Sequence, residues 1–467
     1  MDRRAVAVIL LICIATRFFA LDTRPMDHDE SVHAWIAYRL LTDHIYTYDP
    51  AFHGPFLYYA SAFLFSIFGD SEFVGRLTPV IFSLIGVAFA CLYWRWLGKN
   101  VYIFVFLLLF SPAILYYSRY MRNDIILVGS FIAAVYFYFR YSETLKERFA
   151  YLSTAFLAVM VCSKENAYIY LAILLSFALL YGLYTERGKY VFNKLFRWNF
   201  RKLRIVLLSF AIFALIFTFF YTSAFSDFSG LERGTAGAVE HWLEKHEQKD
   251  HYKPPGYYAK ILLEYEFMAT GLAIAGFYFF ARRLKEKNVT KFELFVVYWA
   301  LTALLAYHIL AHKVPWLVVH LVTPLALLGS LYTRNTGGAR IAIAIAAVAT
   351  LVVAIHVTYV NYNDARSEDL IYIQVQPTAV ELAEVIKEKF TSGERIIVYE
   401  PKNDYWPLPW YLRHYKIPYS SKWIPGYDYV VTSNRERTFV EEKGYSVIGK
   451  YEIRPGYFMV LMERSKG

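Results

Sequence analysis

The residues best able to do chemistry stand in the run Pro25-Met26-Asp27-His28-Asp29-Glu30-Ser31. Three carboxylates and a histidine follow closely on an apolar stretch that ends at Leu21. Ionisable groups beside lipid are costly, so such a cluster marks a site more often than a scaffold. Three further clusters also concentrate ionisable groups: Arg119-Tyr120-Met121-Arg122-Asn123-Asp124, then Lys164-Glu165, then His308 with His312, Lys313, Pro315 and Trp316. This mixture suits transfer of a group from a lipid-linked phosphate to a hydroxyl. The acceptor oxygen needs a carboxylate within hydrogen-bond reach as general base. The departing phosphate needs fixed cations against its developing charge. On this reading Asp29 is the base, and Glu30 and Asp27 orient it. Arg119, Arg122, Lys164 and Lys313 cradle the phosphate, and Asp124 orients Arg122 or the acceptor. A divalent metal ion held by Asp27, His28, His308 and His312 is a further expectation.

Each piece also has a plainer reading. Acidic residues and serine at a helix start cap it. Arg119 and Arg122, three apart on one helical face, can snorkel to phospholipid headgroups. Lys164 and Glu165 can form an internal ion pair. His308 and His312 can be an interfacial pair rather than metal ligands. Trp406, Trp410 and Trp423 can stack on sugar rings, but packing against the membrane domain is their default. A site is favoured because independent clusters fall on one side of the membrane, whereas the plainer reading must be invoked separately for each.

The elements that position these residues are those of a polytopic α-helical membrane protein. The chain has 467 residues, 57% hydrophobic and 19% aromatic, against about 45–50% apolar in an ordinary soluble domain. Apolar runs at 5–21, 73–94, 101–118, 124–141, 150–163, 166–184, 205–222, 258–281, 292–311, 315–332 and 340–359 predict about eleven spans. The net charge of +10 falls in short loops between these runs, which excludes a nucleic-acid footprint. No small-residue cleavage site ends the first run, so it reads as a retained signal-anchor helix. Cys13, Cys91 and Cys162 lie in or beside apolar runs and form no disulfide framework or metal motif.

Basic loops stay cytoplasmic. They are Arg3 and Arg4, Arg95 to Lys99, Arg140 to Arg148, Arg187 to Arg204, Arg282 to Lys291, and Arg334 to Arg340. Lys146 and Arg148 before 150–184, and Arg187 and Lys189 after it, put both flanks of that stretch inside. Only an even number of passes permits this, so it reads as two short helices with Ser163 to Asn166 at an outer turn. The N-terminus is then cytoplasmic, and the loops 22–72 and 223–257 are external. Val32, Trp35, Ile36 and Leu40 recur at helical spacing and predict an interfacial helix. Phe56 to Phe68 is apolar but short, and fits a second interfacial or re-entrant helix better than a span. After 360 the composition turns soluble, dividing the chain into a membrane domain at 1–360 and an extracytoplasmic α/β domain at 361–467. Pro377 to Phe390 predicts a helix. Arg395 to Glu400, Tyr427 to Thr432 and Tyr457 to Met462 predict strands, and Tyr405 to Tyr415 a short helix.

With the clusters ordered in this way, the chain resembles the GT-C superfamily of polyprenyl-phosphate-dependent glycosyltransferases. The closest pattern is that of the protein O-mannosyltransferase and aminoarabinose-transferase branch. Asp29 and Glu30 resemble the acidic pair of that branch's first external loop. Arg119 to Asp124 is similar to its second external turn, and Ser163-Lys164-Glu165 to its lysine turn. Lys313-Val314-Pro315-Trp316 with Pro324 is similar to its K-x-P-aromatic segment. The acidic first loop and Trp406 to Arg413 (W-P-L-P-W-Y-L-R) look most like an archaeal family tied by name to sugar-lipid flipping. The resemblance implies a membrane-lipid-borne polyprenyl- or dolichyl-phosphate sugar as donor, and a glycan, lipid or protein hydroxyl as acceptor. There is no WWDYG-type motif, which argues against en bloc transfer to asparagine. The alternative is a non-catalytic protein that binds or translocates lipid-linked sugars through the same cations. An ion-coupled transporter fits less well, because it would place its carboxylates near the bilayer midplane at broken helices.

Overall fold

The computed structural model describes residues 1–44, 46–185, 200–248, 252–333 and 336–465. The chain divides into two compact units. One comprises Met1–Phe19, Ile45–Ala60 and Arg76–Val360, and the other Ala20–His44, Ser61–Gly75 and Asn361–Gly467. Two segments of the stretch 20–75 thus cluster with the C-terminal residues.

The first unit is helical. Leu77–Phe110, Asp124–Thr144, Phe200–Tyr221, Lys291–Ile309 and Gly337–Val360 are long and apolar enough to cross a membrane. Tyr257–Glu264 and Phe267–Lys285 make a sixth if they count as one span bent by 105°. Length and composition therefore support five or six crossings among the described residues, not the expected eleven. Short helices such as Arg3–Phe18 and Glu147–Val161 account for part of the difference, and breaks for more. The run expected at 101–118 stops at Phe110, where Ser111 caps a new helix, Pro112–Tyr117, with proline in its first turn. Glu266, at the bend, is buried, and its Oε1 accepts from Ser111 Oγ at 2.6 Å and Ala113 N at 2.8 Å. It thereby supplies N-terminal hydrogen-bond acceptors to Pro112–Tyr117. The stretch Leu77–Phe110 passes through Gly98, whose φ of 55° favours glycine. The buried Arg17 donates to Ser83 Oγ at 3.2 Å and to the carbonyls of Leu108 and Leu109 at 2.9 and 2.8 Å. One guanidinium can reach all three only because Leu77–Leu92 and Val101–Phe110 lie side by side.

The stretch 150–184 consists of two helices, Glu147–Val161 and Ala167–Thr185, joined by the turn that carries Lys164. Arg187 and Lys189, which argued for that arrangement, lie outside the described residues, as does Arg334.

The second unit is built on a five-stranded sheet, β1 Ile396–Tyr399, β2 Tyr419–Ser420, β3 Tyr429–Ser433, β4 Tyr445–Arg454 and β5 Tyr457–Arg464, in the order β2-β1-β3-β5-β4. β1 pairs in parallel with β2 and β3, and the β3-β5 and β4-β5 pairs are antiparallel. The helix Pro377–Thr391 begins on a proline, whose missing N–H is not needed there. Ile397, Tyr399, Val430, Val440, Tyr445, Val460 and Met462 form a core, with Trp423 packed against it. Trp423 is therefore a packing residue. Trp410 is fully buried and stacks on Phe65 at 5.9 Å within the same unit. The helix His28–Asp43 carries the expected interfacial residues, and Phe56–Phe68 is a 13-residue helix.

Candidate functional site

In the first unit two turns meet at a buried ionic centre. Asp124 opens the helix Asp124–Thr144, where the positive end of the helix dipole favours a carboxylate. Lys164 comes from the turn after Val161. Its Nζ donates to both oxygens of Asp124, at 2.8 and 2.9 Å, and both residues are 1% exposed. Burial pushes the Lys164 ammonium below the ordinary lysine value, and Asp124 pulls it back. His320 Nε2 lies 3.0 Å from Asp124 Oδ1, and its Nδ1 lies 2.8 Å from the hydroxyl of Tyr170. The ring of Tyr307 stacks on His320 at 5.3 Å, and Asn166 Nδ2 donates to the Tyr307 hydroxyl at 3.1 Å. Arg122 Nε is 3.8 Å from Asp124 Oδ2, and its guanidinium lies 3.7 Å over the ring of Trp316. Arg122, Asp124, Lys164 and the K-x-P-aromatic segment thus come together through Trp316 and His320.

The backbone holds the two turns in register. Gly54 N donates to Ser163 O at 3.1 Å, and Phe56 N to Cys162 O at 2.9 Å. Asn123 Nδ2 donates to Ser163 O and, at 3.4 Å, to Gly54 O. A Cβ on Gly54 would stand 2.3 Å from Cys162 O, so only glycine permits this approach. Beyond Lys164, Glu165 Oε2 pairs with His53 Nδ1 at 3.0 Å, and Glu165 Oε1 accepts from Tyr48 at 3.3 Å. A largely apolar cavity of about 380 Å³ opens beside this turn, lined by Glu165, Asn166, Tyr168, Trp242, Leu310 and His312 among others.

Other expected members make contacts outside this centre. Arg119 Nη1 donates to the carbonyls of Thr16, Arg17 and Phe19, at 3.0, 3.0 and 2.6 Å. It caps the end of the helix Arg3–Phe18, as a cation near a helix C-terminus should. Lys313 is buried and donates to Leu310 O. His308 Nδ1 lies 2.7 Å from Leu304 O on its own helix, and His312 pairs with Tyr252 in a single β-bridge and packs edge-on to Trp242.

In the second unit the acidic turn begins the helix His28–Asp43. Asp27 Oδ1 accepts from Glu30 N at 2.7 Å, and Glu30 Oε2 accepts from Asp27 N at 3.3 Å and from Arg24 Nη2 at 2.9 Å. This is a capping box with a buried ion pair behind it. Asp27 and Glu30 are buried, whereas Asp29, between them, is half-buried. The plainer capping reading therefore fits Asp27 and Glu30 and leaves Asp29 as the carboxylate with most access. Among the described residues no three of His, Cys, Asp and Glu gather in a group able to hold a metal. Of the residues expected to hold a metal, Asp27 caps a helix and His308 bonds its own.

His320, Tyr170, Tyr307 and the His53-Glu165 pair are not legible as site residues from spacing. His320 carries the one signal that could have found it, a histidine in the otherwise apolar run from Leu317 to Val322.

Residues 52–217 match the family model of the dolichyl-phosphate-mannose-protein mannosyltransferases. The fold is similar to that of ArnT from Cupriavidus metallidurans bound to undecaprenyl phosphate. The TM-score is 0.71 at 15% identity, over 99% of this chain and 98% of that one. In its apo state the same protein matches with a TM-score of 0.68 at 14% identity, over 98% and 97% of the two chains. A partial likeness, TM-score 0.38 at 15% identity, joins 48% of this chain to 33% of a chain in the S. cerevisiae protein O-mannosyltransferase Pmt1-Pmt2 complex bound to the sugar donor. No curated protein sequence matches the chain. The resemblance drawn from the motifs is met by the family model and by the ArnT fold. Neither bears on the archaeal branch.

Proposed function

We propose that this chain is a multi-pass membrane glycosyltransferase that takes a sugar from a polyprenyl- or dolichyl-phosphate carrier and gives it to a hydroxyl on the extracytoplasmic face. The observation that carries this reading is the buried centre at Asp124, where Lys164 and Arg122 bring two cations to one place beside an apolar cavity. Similarity to a fold bound to undecaprenyl phosphate supports it.

The reaction runs as follows. The Asp29 carboxylate takes the proton of the acceptor hydroxyl. The acceptor oxygen forms a bond to the sugar C1 as the bond from C1 to the phosphate oxygen breaks. The electron pair leaves with the phosphate, where Lys164, Arg122 and Lys313 stabilise the charge. Asp124 keeps Lys164 in place, Asp27 and Glu30 hold the turn that carries Asp29, and Arg119 is a structural cap. The apolar cavity takes the first isoprene units of the carrier. Eleven passes, with the N-terminus inside and residues 361–467 outside, complete the arrangement.

The test is release of polyprenyl phosphate from a radiolabelled polyprenyl-phosphate monosaccharide, in membranes from cells expressing the chain. Asp29→Asn is expected to cut release by about 10²–10⁴-fold, to a measurable residual, at unchanged protein level. Release at the parental rate would remove Asp29 as base and favour the non-catalytic carrier-binding alternative.

A further inference from the structure

The C-terminal residues grip the acidic turn with three polar side chains from three separate places. Gln374, fully buried, donates Nε2 to Pro25 O at 3.0 Å. Tyr411, in the W-P-L-P-W-Y-L-R segment, accepts the Met26 N–H at 2.9 Å. Arg454, at the end of β4, lies with Nη1 3.0 Å from His28 Nδ1. Its other arm donates to Asp404 Oδ1 at 2.6 Å, and its guanidinium lies over the ring of Tyr457 at 4.5 Å. Tyr457 in turn donates to Asp404 O at 2.7 Å.

We propose that Gln374, Tyr411 and Arg454 are positioning residues for Asp29, and that the C-terminal unit serves to hold the acidic turn in its reactive geometry. This inference rests on the reading of Asp29 as general base. Burial alone would be satisfied by apolar contacts, which are indifferent to direction. Here the partners are two backbone groups and one ring nitrogen, each fixed by the angular demands of a hydrogen bond. The bonds fall on residues 25, 26 and 28, and the capping box fixes 27 and 30. Asp29 is thus flanked by anchored residues. The same W-P-L-P-W-Y-L-R segment holds the other half of the first external loop, where Arg413 Nε donates to Asp70 Oδ2 at 2.8 Å and Trp410 stacks on Phe65. That segment, otherwise without a role, becomes the organiser of the loop.

Arg454 also sets the state of the ring beside Asp29. A guanidinium only donates, so His28 Nδ1 must accept and the ring proton sits on Nε2. Burial pushes His28 below its ordinary value. Asp29 and Asp404 oppose that, and Arg454 adds to it. The ring therefore stays neutral next to the base.

The experiment measures kcat and KM for a polyprenyl-phosphate sugar donor in full-length Tyr411→Phe, Gln374→Leu and Arg454→Ala proteins, each also combined with Asp29→Asn. A loosened base costs about 10- to 100-fold in rate. The expected result is such a fall in kcat with KM within about twofold, no further loss on the Asp29→Asn background, and partial rescue of Arg454→Ala by added guanidinium. Parental kcat in all three single variants, with Asp29→Asn impaired, would overturn this inference while leaving the proposed function intact. So would losses that persist on the Asp29→Asn background, or a matched rise in KM, since these mark a purely structural role. Full activity of Asp29→Asn would overturn both.

Discussion

Replacing Lys164 by methionine removes one partner of the Asp124 pair and leaves the other buried. Both residues are 1% exposed and joined by two bonds of 2.8 and 2.9 Å. A surface pair of this kind is worth about 0–1 kcal/mol. Breaking a buried one costs about 3–5 kcal/mol, because the remaining charge has neither water nor a partner. His320 at 3.0 Å and Arg122 at 3.8 Å still face Asp124, so Lys164→Met should fall near 3 kcal/mol, the lower end of that range. The double variant Lys164→Met/Asp124→Asn removes both ions of the pair, with the Arg122 guanidinium still over Trp316, and should recover most of that loss, since removing both ions of a buried pair is often neutral. Activity should behave differently. Loss of one preorganised donor to the developing charge costs about 10²–10³ in rate, and the double variant lacks the cation as fully as the single one does. Thermal unfolding of the detergent-solubilised protein and release of polyprenyl phosphate, measured on the same preparations, separate the two effects. Stability restored in the double variant without activity is the expected pattern. Activity returning together with stability would show that Lys164 only supports the fold, and a double variant as unstable as the two singles summed would refute the buried-pair argument.

Three shorter tests follow from the same geometry. Arg119→Leu leaves the carbonyls of Thr16, Arg17 and Phe19 without this donor, which should cost about 1–3 kcal/mol in thermal unfolding and leave the donor KM unchanged; a raised KM would return Arg119 to the phosphate site. Gly54→Ala forces a Cβ to 2.3 Å from Cys162 O, so the Lys164 turn must shift; lower thermal stability is expected together with a loss of activity of about tenfold or more. His28 is held below its ordinary value in the fold, chiefly by burial. The unfolded chain therefore binds a proton that the folded chain resists, and stability falls as pH drops below about 6.5, the unfolded value. His28→Gln should flatten that slope in unfolding measured from pH 8 to 5, and an unchanged slope would place the titration elsewhere.

The outline of the fold was legible because it rests on local pattern. The helix at Phe56–Phe68, the two helices within 150–184 and the helix from Pro377 announce themselves through run length, loop charge and a proline at a first turn. The strand β4 was not legible. Its residues, Tyr445 to Arg454, alternate weakly, include Gly449 and carry irregular register against β5, so the period-2 signal is broken where the strand bends. The count of eleven spans is not confirmed, for a related reason. Hydropathy measures composition along a run, but it does not register that Ser111 starts a new helix or that the chain turns by 105° near Glu266.

The site divides along the same line. Which turns carry charge was readable, because ions near lipid are rare and stand out. Which charge meets which was not, because the partners are set by contacts across 40 to 426 positions of sequence. Arg119 and Arg122 show the consequence. They are the same residue type three positions apart in one motif, yet Arg119 turns to the carbonyls at the end of the first helix, while Arg122 lies over Trp316 and faces Asp124. The acidic turn shows it again: of three carboxylates in four residues, two face their own backbone and Arg24, and one does not share that box. A motif therefore specifies where a reaction could be assembled. The assignment of base, cap and cation within it belongs to the fold, and the acidic turn is bonded by residues 349 to 426 positions away that the motif itself never mentions.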